Sequence, residues 1–485
     1  MKKAELMFIP FQAVGHIVSM IEIAKLLTHR YSHLSITFLI IKPFSASAAD
    51  AHIEESLRAA SAATAAAIKY LILPPPESTP DTDSVSLLTF FDLYVAAHIP
   101  SVRAAVADLS SSLNSVPVAG FVLDMFCTAM MDLAGELGVP SYVFIPSGAA
   151  FLGLLLHFQA LRDDHGVDVT EFHDSDAELA VPCFVNPVPA RVLPSVVVEK
   201  ERGSTSILNA TRRFKGSNGI LINTFVALEP HAVNALKSGT IEIPPVYPVG
   251  PILNLPNDAQ EQESSIISWL DDKPPSSVVF LCFGSFGSFN PDQVGEIAHG
   301  LERSGQRFLW SLRKPPPPKS RLVFPTDYAN PEEVLPSGFL ERTTGIGKVI
   351  GWAPQLAVLA HKAVGGFVSH CGWNSTLESM WCGVPIAAWP MYAEQQLNAF
   401  EMVRELGIGK DIRIDYKLDG GGLVSAEEIE RGIKDVMGGE SDMIRTNVME
   451  IKEKAREALS EGGSSSISLG HFVEQVLHNM EFENS

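Results

Sequence analysis

Polar and aromatic side chains are concentrated in the segment SHCGWNSTLES, residues 369–379. It follows the apolar run AVGGFV, which is typical of a buried strand, and it leads into STLESMW, which has the pattern of a helix. The N-terminus of a helix presents N–H groups and a partial positive charge, so such a junction favours a phosphate group. Gly372 allows the backbone to approach closely, and Asn374 and Ser375 add side-chain donors.

Other interpretations of this segment stay open at the level of the residues. Ser375 and Glu378 are spaced as in a capping box, in which the glutamate only satisfies backbone N–H groups of its own helix. His370 and Cys371 are metal-binding residue types, but they are adjacent, and no further Cys/His spacing completes a ligand set. The segment alone therefore does not decide between a phosphate site and a capped helix.

A histidine and an aspartate form a second candidate for chemistry. His16 follows the first predicted strand in PFQAVGHIVSM, and Asp124 ends the predicted strand AGFVLD. Each residue alone is more often structural than catalytic. Because both come at the carboxyl ends of strands in the same half of the chain, we expect them to meet at one edge of the sheet. A histidine oriented by a carboxylate can take the proton of a hydroxyl group near neutral pH.

Short apolar runs alternate with helical patterns, which predicts βαβ units and parallel sheets. The first half contains the strands ELMFIPF, LSITFLII, VAGFVLDMF and SYVFIP and the helices HIVSMIEIAKLLTHR and TAMMDLAGELG. The second half contains the strands SVVFLCFGS, RFLWSLR, KVIGWA, GGFVSH and PIAAWP, and a helix with Asn290 as N-cap and Pro291 as first residue. The alanine-rich SAATAAAIKY has high helix propensity, and SISLGHFVEQVLHNM is an amphipathic helix. We therefore predict two doubly wound α/β halves.

Composition limits the class of protein. The chain has 485 residues and a net charge of −20, with 36 basic and 56 acidic residues and no basic run, which argues against a nucleic-acid partner. Its five cysteines form no C-x-x-C pair, which indicates free thiols in a reducing compartment. The first residues, MKKAELMFIPF, fit a strand better than a signal peptide, and no segment fits a membrane span. A cytoplasmic location is expected.

A long block surrounds the first segment and extends from Trp352 to Gln395, beginning WAPQ, centred on HCGWNS and ending with EQ. It resembles the nucleotide-sugar signature of plant UDP-dependent glycosyltransferases of family 1, and FGSFGS and FQAVGH extend the resemblance over nearly the whole chain. The resemblance implies an α/β protein with the GT-B fold, two Rossmann-like doubly wound parallel-sheet domains facing a cleft.

We accordingly expect an N-terminal acceptor-binding Rossmann-like domain at 1–247, a linker at 248–264, a C-terminal UDP-sugar-binding domain at 265–462, and a C-terminal helix at 463–485 packing back on the N-terminal domain. The implied donor is UDP-glucose as a co-substrate, with no permanently bound cofactor and no metal. His16 is implied to be the general base and Asp124 the residue that orients it.

The resemblance also implies roles for donor-site residues. The implied contacts are Trp352 stacked on uracil, Ala353 and Gln355 at the base edge, Glu378 on the ribose, Ser285, His370, Asn374 and Ser375 on the diphosphate, and Trp373, Glu394 and Gln395 at the sugar. Gln395 and Trp373 are the types that family members using glucose carry, whereas galactose users often have His at the last position.

The acceptor is less constrained. An aromatic acceptor needs a mainly apolar cleft, and the candidate walls are Phe11, Phe126, Phe144, Phe151 and Phe184, each of which is equally well a core aromatic. We expect inverting transfer to a hydroxyl of a flavonoid or other phenolic secondary metabolite, giving a β-glucoside and UDP. A triterpenoid acceptor is the alternative within this activity.

Two alternatives of another class are a UDP-sugar-binding protein without transfer and a sugar-nucleotide epimerase. The first would need neither His16 nor Asp124, and the complete signature block argues against the second. The expected partners are therefore a UDP-sugar and a small-molecule acceptor, bound by a monomer.

Overall fold

The computed structural model describes residues 3–42, 48–64, 67–81, 85–111, 116–239, 241–255, 265–317, 323–438 and 442–482. The chain divides into two compact units. The N-terminal unit comprises Met1–Val185, Ser195–Asn254 and Glu457–Ser485, and the C-terminal unit comprises Asn186–Pro194 and Leu255–Arg456. Positions 256–264 of the predicted linker lie outside the described residues.

The strands are short and mostly apolar. In chain order they are β1 Ala4–Ile9, β2 Leu34–Ile40, β3 Ile68–Ile72, β4 Val118–Asp124, β5 Ser141–Ile145, β6 Glu178–Leu179, β7 Val188–Pro189, β8 Gly219–Ile222, β9 Val246–Pro248, β10 Val278–Cys282, β11 Arg307–Ser311, β12 Arg313–Lys314, β13 Thr326–Asp327, β14 Gly347–Ile350, β15 Val364–Ser369, β16 Ile386–Ala388 and β17 Gly409–Asp411.

Helices separate most of these strands. They are α1 Val14–Arg30, α2 Ala48–Ala63, α3 Leu87–Ala97, α4 Ile99–Ser111, α5 Met130–Glu136, α6 Ala149–Asp163, α7 Ser195–Val198, α8 Ser204–Phe214, α9 Pro230–Lys237, α10 Ser265–Asp271, α11 Pro291–Ser304, α12 Phe339–Arg342, α13 Gln355–Ala360, α14 Trp373–Cys382, α15 Gln395–Phe400, α16 Ala426–Met437, α17 Asp442–Leu459 and α18 Ser464–Phe482. Short 3-10 turns lie at Val169–Phe172, Ala190–Val192 and Pro331–Glu333, and a π-helical turn at Glu401–Glu405.

The N-terminal unit is built on a parallel sheet with the order β3-β2-β1-β4-β5-β8-β9. The strand order reverses between β1 and β4, which are neighbours in the sheet, so the loops after these two strands diverge to opposite faces. In open α/β sheets this switch point forms the crevice in which ligands bind. Buried apolar clusters cover both faces of the sheet, and α18 packs against β9 and β4 as part of one of them.

The C-terminal unit repeats this plan with the order β14-β11-β10-β15-β16-β17. Its switch point lies between β10 and β15, where Cys282 is in register with Ser369. The strands are buried on both faces, which is why they appear in the sequence as continuous apolar runs. The prediction of two Rossmann-like doubly wound parallel-sheet domains is confirmed by these two sheets.

Most predicted elements are present, and two details differ. Asn290 caps α11 as predicted, with Oδ1 accepting a hydrogen bond from the Gln293 backbone N–H at 2.9 Å. The alanine-rich SAATAAAIKY is helical only at its start, because α2 ends at Ala63 and the edge strand β3 begins at Ile68. The helix after the phosphate-binding candidate begins at Trp373, earlier than the sequence pattern indicates. No helix among the described residues has the length and apolar composition required to cross a membrane.

Candidate active site

The N-terminal switch point brings His16 and Asp124 together. His16 is the third residue of α1, whose N-cap Ala13 makes no side-chain capping hydrogen bond, and Asp124 is the last residue of β4. Nδ1 of His16 lies 2.9 Å from Oδ2 of Asp124. The two residues are 108 positions apart in the chain and meet because β1 and β4 are adjacent parallel strands.

The environment of this pair fixes the proton positions. Asp124 is fully buried, and its Oδ1 accepts a hydrogen bond from the backbone N–H of Phe126 at 3.0 Å. A carboxylate only accepts hydrogen bonds, so Nδ1 of His16 is the donor, and in the neutral imidazole the lone pair then lies on Nε2. The His16 side chain is 23% exposed. The pair therefore presents a histidine base oriented by a buried carboxylate.

Phenylalanine rings surround the imidazole of His16. The Phe126 ring is stacked on it with centroids 5.5 Å apart, and the Phe11 ring meets it edge-on at 5.6 Å. Phe91 in turn contacts Phe11 at 4.9 Å. The surroundings of the base are therefore aromatic and apolar, and Phe91 is an aromatic of this group that the sequence did not indicate.

The other three candidate acceptor-pocket residues lie elsewhere in the N-terminal unit. Phe144 is completely buried in the core cluster that packs β1 and β5 against α1 and α18, so its prediction as a pocket wall is wrong. A central strand has no exposed side chain on such a covered face. Phe151 lies in α6 and Phe184 in the segment after α6, and both are more than nine-tenths buried.

In the C-terminal unit the phosphate-binding candidate is a turn of residues 369–372, here called the phosphate turn. It joins β15 to α14, and Gly372 is the N-cap of α14 with no side-chain capping hydrogen bond. Ser285 follows β10, the neighbouring strand at the switch point, and Asn374 and Ser375 lie in the first turn of α14. These groups surround a helix N-terminus suited to an anion.

His370 is a neutral member of this group. Burial lowers its pKa to about 4, while the carbonyl of Cys282 acts in the opposite direction. Its Nε2 lies against the backbones of Gly284 and Gly372, where a Cβ on either residue would overlap the ring. Glycine is required at both positions, and at Gly284 also because φ is +74°.

Glu378 does not act as part of a capping box. Because α14 begins at Trp373, Ser375 is its third residue and caps nothing, and the capping interpretation is wrong. Instead, Nε2 of Gln355 donates to Oε2 of Glu378 at 2.7 Å and to Oγ of Ser375 at 2.8 Å. Burial raises the pKa of the half-buried Glu378 carboxyl to about 7, with Gln355 opposing the shift.

Trp352 is 59% exposed and has an arginine against its ring. The guanidinium carbon of Arg313 is 5.2 Å from the ring centroid. Arg313 pairs with Asp327 at 3.1 Å and donates from Nη2 to the carbonyl of Pro325 at 2.6 Å. Arg313 was missed in the sequence, although it follows β11 at the same edge of the sheet. Ala353, next to Trp352, is buried.

Two of the three predicted sugar-contacting residues, Glu394 and Gln395, lie at the start of α15. Oε1 of Gln395 accepts hydrogen bonds from the backbone N–H groups of Met391 at 3.0 Å and Tyr392 at 3.1 Å, which fixes the orientation of the amide. Glu394 is half-buried beside it, and Trp373 is 3% exposed in the first turn of α14. Because Oε1 is occupied by these two N–H groups, the amide nitrogen is the remaining polar group of the Gln395 side chain.

Tyr392 is a second residue missed in the sequence, where an aromatic after a strand is typical of packing. Burial raises the pKa of its hydroxyl, which hydrogen-bonds the Gln395 side chain and the backbone of Phe286. Its ring lies 6.5 Å from that of His370. Within the described ranges, no group of three or more His, Cys, Asp or Glu side chains is arranged to hold a metal ion.

Comparison with known proteins gives consistent matches. A family model described as "UDP-glucoronosyl and UDP-glucosyl transferase" matches residues 256–456. A Fragaria ananassa protein, "UDP-glucose flavonoid 3-O-glucosyltransferase 6", is 55% identical over 98% of this chain and 99% of its own length.

Solved structures extend the similarity to the fold. A Siraitia grosvenorii UGT in complex with UDP has a TM-score of 0.87 and 46% identity, covering 98% of this chain and 100% of its own. A Medicago truncatula UGT complexed with UDP-glucose has a TM-score of 0.85 and 42% identity, covering 98% of both chains. The similarity thus covers both units.

Proposed function

The chain belongs to the UDP-glucoronosyl and UDP-glucosyl transferase family and is a UDP-glycosyltransferase with the GT-B fold, and from this premise we propose that it is an inverting O-glucosyltransferase using UDP-glucose. The acceptor is a hydroxyl group of a small plant secondary metabolite, a flavonoid or another phenolic. The observation that carries the proposal is the 2.9 Å contact between His16 and the buried Asp124, a base that a mere UDP-sugar binder has no need of.

His16 removes the proton from the acceptor hydroxyl. Its Nε2 takes the proton as the hydroxyl oxygen attacks the anomeric carbon, and the bond from that carbon to the β-phosphate oxygen breaks with its electron pair leaving on UDP. Asp124 accepts from Nδ1 and stabilises the imidazolium that results. Attack opposite to the leaving UDP inverts the α-configured donor to a β-glucoside.

The C-terminal residues hold the donor and stabilise the departing UDP. Trp352 stacks on uracil, Glu378 accepts from the ribose hydroxyls, and the N-terminus of α14 with Ser285, His370, Asn374 and Ser375 binds the diphosphate. His370 adds no positive charge to this site, because its pKa of about 4 keeps it neutral. Trp373, Glu394 and Gln395 contact the sugar.

Two observations support glucose and a flavonoid. Gln395 rather than histidine ends the signature block, and the Fragaria relative is named as a UDP-glucose flavonoid 3-O-glucosyltransferase. The rings of Phe11 and Phe126 beside His16 suit a flat aromatic acceptor, since offset and edge-on ring contacts are favourable.

The test is a turnover assay with UDP-glucose and three acceptors: quercetin, ferulic acid and oleanolic acid. We expect one hexose to be added to quercetin, with the β configuration shown by NMR. His16→Ala should lower kcat about 10²- to 10⁴-fold. His29→Ala, an exposed histidine in the last turn of the same helix, is the matched control and should keep wild-type turnover.

Other outcomes separate the alternatives. Transfer to oleanolic acid alone would replace the phenolic acceptor with a triterpenoid. Binding of UDP-glucose without transfer to any acceptor would favour a binding protein, and an epimerised sugar nucleotide without acceptor would favour an epimerase. An α-linked product would overturn the mechanism.

A further inference from the structure

Asn398 has no role in the reaction described above, yet it connects two parts of the donor site. It lies in α15, the helix that begins at Gln395, and it is only 1% exposed. Its Nδ2 donates a hydrogen bond to the carbonyl oxygen of Cys371 at 2.9 Å. Cys371 belongs to the phosphate turn, so one buried amide joins that turn to the helix carrying the sugar-contacting residues.

The backbone at Cys371 needs such support. Its φ of 60° is left-handed, a conformation that residues other than glycine adopt only where the surrounding structure holds them in it. On the side of β15, the Cys371 N–H donates to Oγ of Ser369 at 3.1 Å, and the Ser369 carbonyl accepts from the Trp389 N–H at 2.8 Å. On the other side, Asn398 holds the carbonyl of Cys371.

The phosphate turn and α15 carry different groups of donor-binding residues. His370 precedes Cys371 directly, and Gln395 lies one helical turn before Asn398, so both flank the hydrogen bond. The backbone N–H of Asn398 itself bonds to the carbonyl of Glu394 at 3.0 Å, which ties the start of the helix to the same residue. A shift of Asn398 relative to Cys371 would therefore change the separation between the diphosphate and sugar contacts.

We propose that Asn398 is a positioning residue that sets this separation, so that one UDP-sugar engages the phosphate turn and α15 together. The inference rests on the proposed donor and deepens it. UDP needs only the nucleotide and diphosphate contacts, whereas UDP-glucose needs both elements in register. Loss of the Asn398 hydrogen bond should thus weaken UDP-glucose more than UDP.

The experiment measures Kd for UDP-glucose and for UDP by calorimetry on the full chain. In Asn398→Asp the donor facing the Cys371 carbonyl becomes an acceptor, and Asn398→Ala removes the group without adding charge. We expect the ratio of Kd for UDP-glucose to Kd for UDP to rise about 10- to 100-fold in both variants, because a small displacement of binding groups relative to their ligand has effects of this size. If Asn398→Asp does not fold, Asn398→Ala decides.

Gln396 provides a matched control on the same helix. It is 2% exposed, and its Nε2 donates to the carbonyl of Tyr416 at 2.7 Å, again a buried amide bonded to a main-chain carbonyl. Gln396→Glu and Gln396→Ala should lower the melting temperature comparably and leave the Kd ratio unchanged.

The outcomes are distinguishable. If the Asn398 variants lower stability but keep the wild-type Kd ratio, the residue is only a packing amide and the inference is overturned. If the Gln396 variants raise the ratio equally, the effect is a general loosening of α15 and the inference is also overturned. If the wild-type protein itself binds UDP but not UDP-glucose, the proposed function fails.

Discussion

Burial shifts the pKa values of two donor-site side chains, one upward and one downward. It raises the pKa of Glu378 to about 7 and lowers that of His370 to about 4, in each case disfavouring the charged form. Between pH 6 and pH 8 the glutamate therefore ionises while the histidine stays neutral. The contribution of Glu378 to the free energy of unfolding therefore falls as pH rises from about 4.5 to about 7, because the folded protein retains a proton that the unfolded chain releases, whereas the contribution of His370 rises between about 4 and 6.5.

Donor affinity should follow the ionisation of Glu378. The ribose hydroxyls need a carboxylate acceptor, and with a pKa of about 7 the ionised fraction rises from about a tenth at pH 6 to about nine-tenths at pH 8. We expect the affinity for UDP-glucose to rise roughly tenfold over this range. Calorimetry at pH 6, 7 and 8 measures it, and UDP-glucose suits the test because its diphosphate diester does not titrate there.

Glu378→Gln is the control for this pH dependence. It keeps the shape and one acceptor oxygen but has no proton to lose, so its affinity should be lower at pH 8 and constant between pH 6 and 8. A variant that retained the tenfold rise would assign the titration to another group.

Arg313 should stabilise Trp352 for stacking. The arginine is held by Asp327 and Pro325, and the Asp327 carboxylate in turn lies against Gly351, where a Cβ would overlap it. A cation–π contact of this kind contributes about 0.5–2 kcal/mol. Arg313→Ala should therefore weaken UDP binding about 2- to 30-fold, and Arg313→Lys should give an intermediate loss.

Lys314→Ala is the matched variant for this prediction. Lys314 is the neighbouring residue and lies 5.9 Å from the ring of Tyr328, a cation–π contact that does not involve Trp352. Calorimetric titration with UDP should show wild-type affinity for Lys314→Ala. Equal losses in both variants would point to the antiparallel pair of β12 and β13 as a whole instead of the stacked tryptophan.

At the scale of elements, helix α6 begins with a carboxylate supplied from another part of the chain. Its N-cap is Gly148, which makes no side-chain capping bond. The buried Glu229, between β8 and α9, accepts from the N–H of Ala149 through Oε2 at 2.9 Å and from that of Ala150 through Oε1 at 2.7 Å. A negative charge at a helix N-terminus also complements the helix dipole.

Removal of this cap should destabilise the N-terminal unit. Glu229→Ala leaves two N–H groups of α6 without their acceptor in a buried place, at an expected cost of about 2–4 kcal/mol. Glu229→Gln should cost less, because its amide oxygen still accepts. Urea unfolding measures the loss, and Glu201→Ala at an exposed position should match wild type; a Glu229→Ala value within 0.5 kcal/mol (about the usual scatter for surface changes) would contradict the prediction.

The sequence predicts those elements that a local pattern determines. Buried parallel strands appear as apolar runs, and Asn290 with Pro291 predicts the start of α11. The pairing of His16 with Asp124 follows from strand ends alone. In contrast, the edge strand β3 has an alternating burial pattern after an alanine-rich stretch, and the start of α14 depends on Gly372 in the folded turn.

Two of the residues missed in the sequence, Arg313 and Asn398, have partners that are distant in the chain. Arg313 in β12 contacts the ring of Trp352, and Asn398 in α15 bonds to the carbonyl of Cys371. The prediction for Phe144 is wrong for another reason. An apolar sequence pattern does not distinguish a strand residue that packs in the core from one that contacts a ligand. Tertiary packing, rather than local propensity, decides these roles.

At the scale of the whole molecule, the chain forms the N-terminal unit up to Asn254, except for Asn186–Pro194, then forms the C-terminal unit, and returns to the N-terminal unit at its end. Residues 457–485 belong to the N-terminal unit, in which α18 covers the sheet beside β9. Phe472 is fully buried between Tyr142 at 5.1 Å and Tyr247 at 5.7 Å. Arg30 at the end of α1 also donates to the carbonyl of Leu459. The N-terminal sheet is thus completed only by the end of the chain.

Phe472→Ala should therefore unfold the N-terminal unit more readily without a matching effect on the C-terminal one. Truncating a buried phenylalanine costs about 3–5 kcal/mol. Hydrogen–deuterium exchange should become faster in peptides covering α18, β9 and β4, while β10 and β15 keep their protection and UDP still binds. Ile467→Ala, at a 49% exposed position of the same helix, should exchange as wild type. If hydrogen–deuterium exchange became faster in β10 and β15 to the same extent, the two units would unfold together. The idea that the N-terminal unit unfolds on its own would then be wrong.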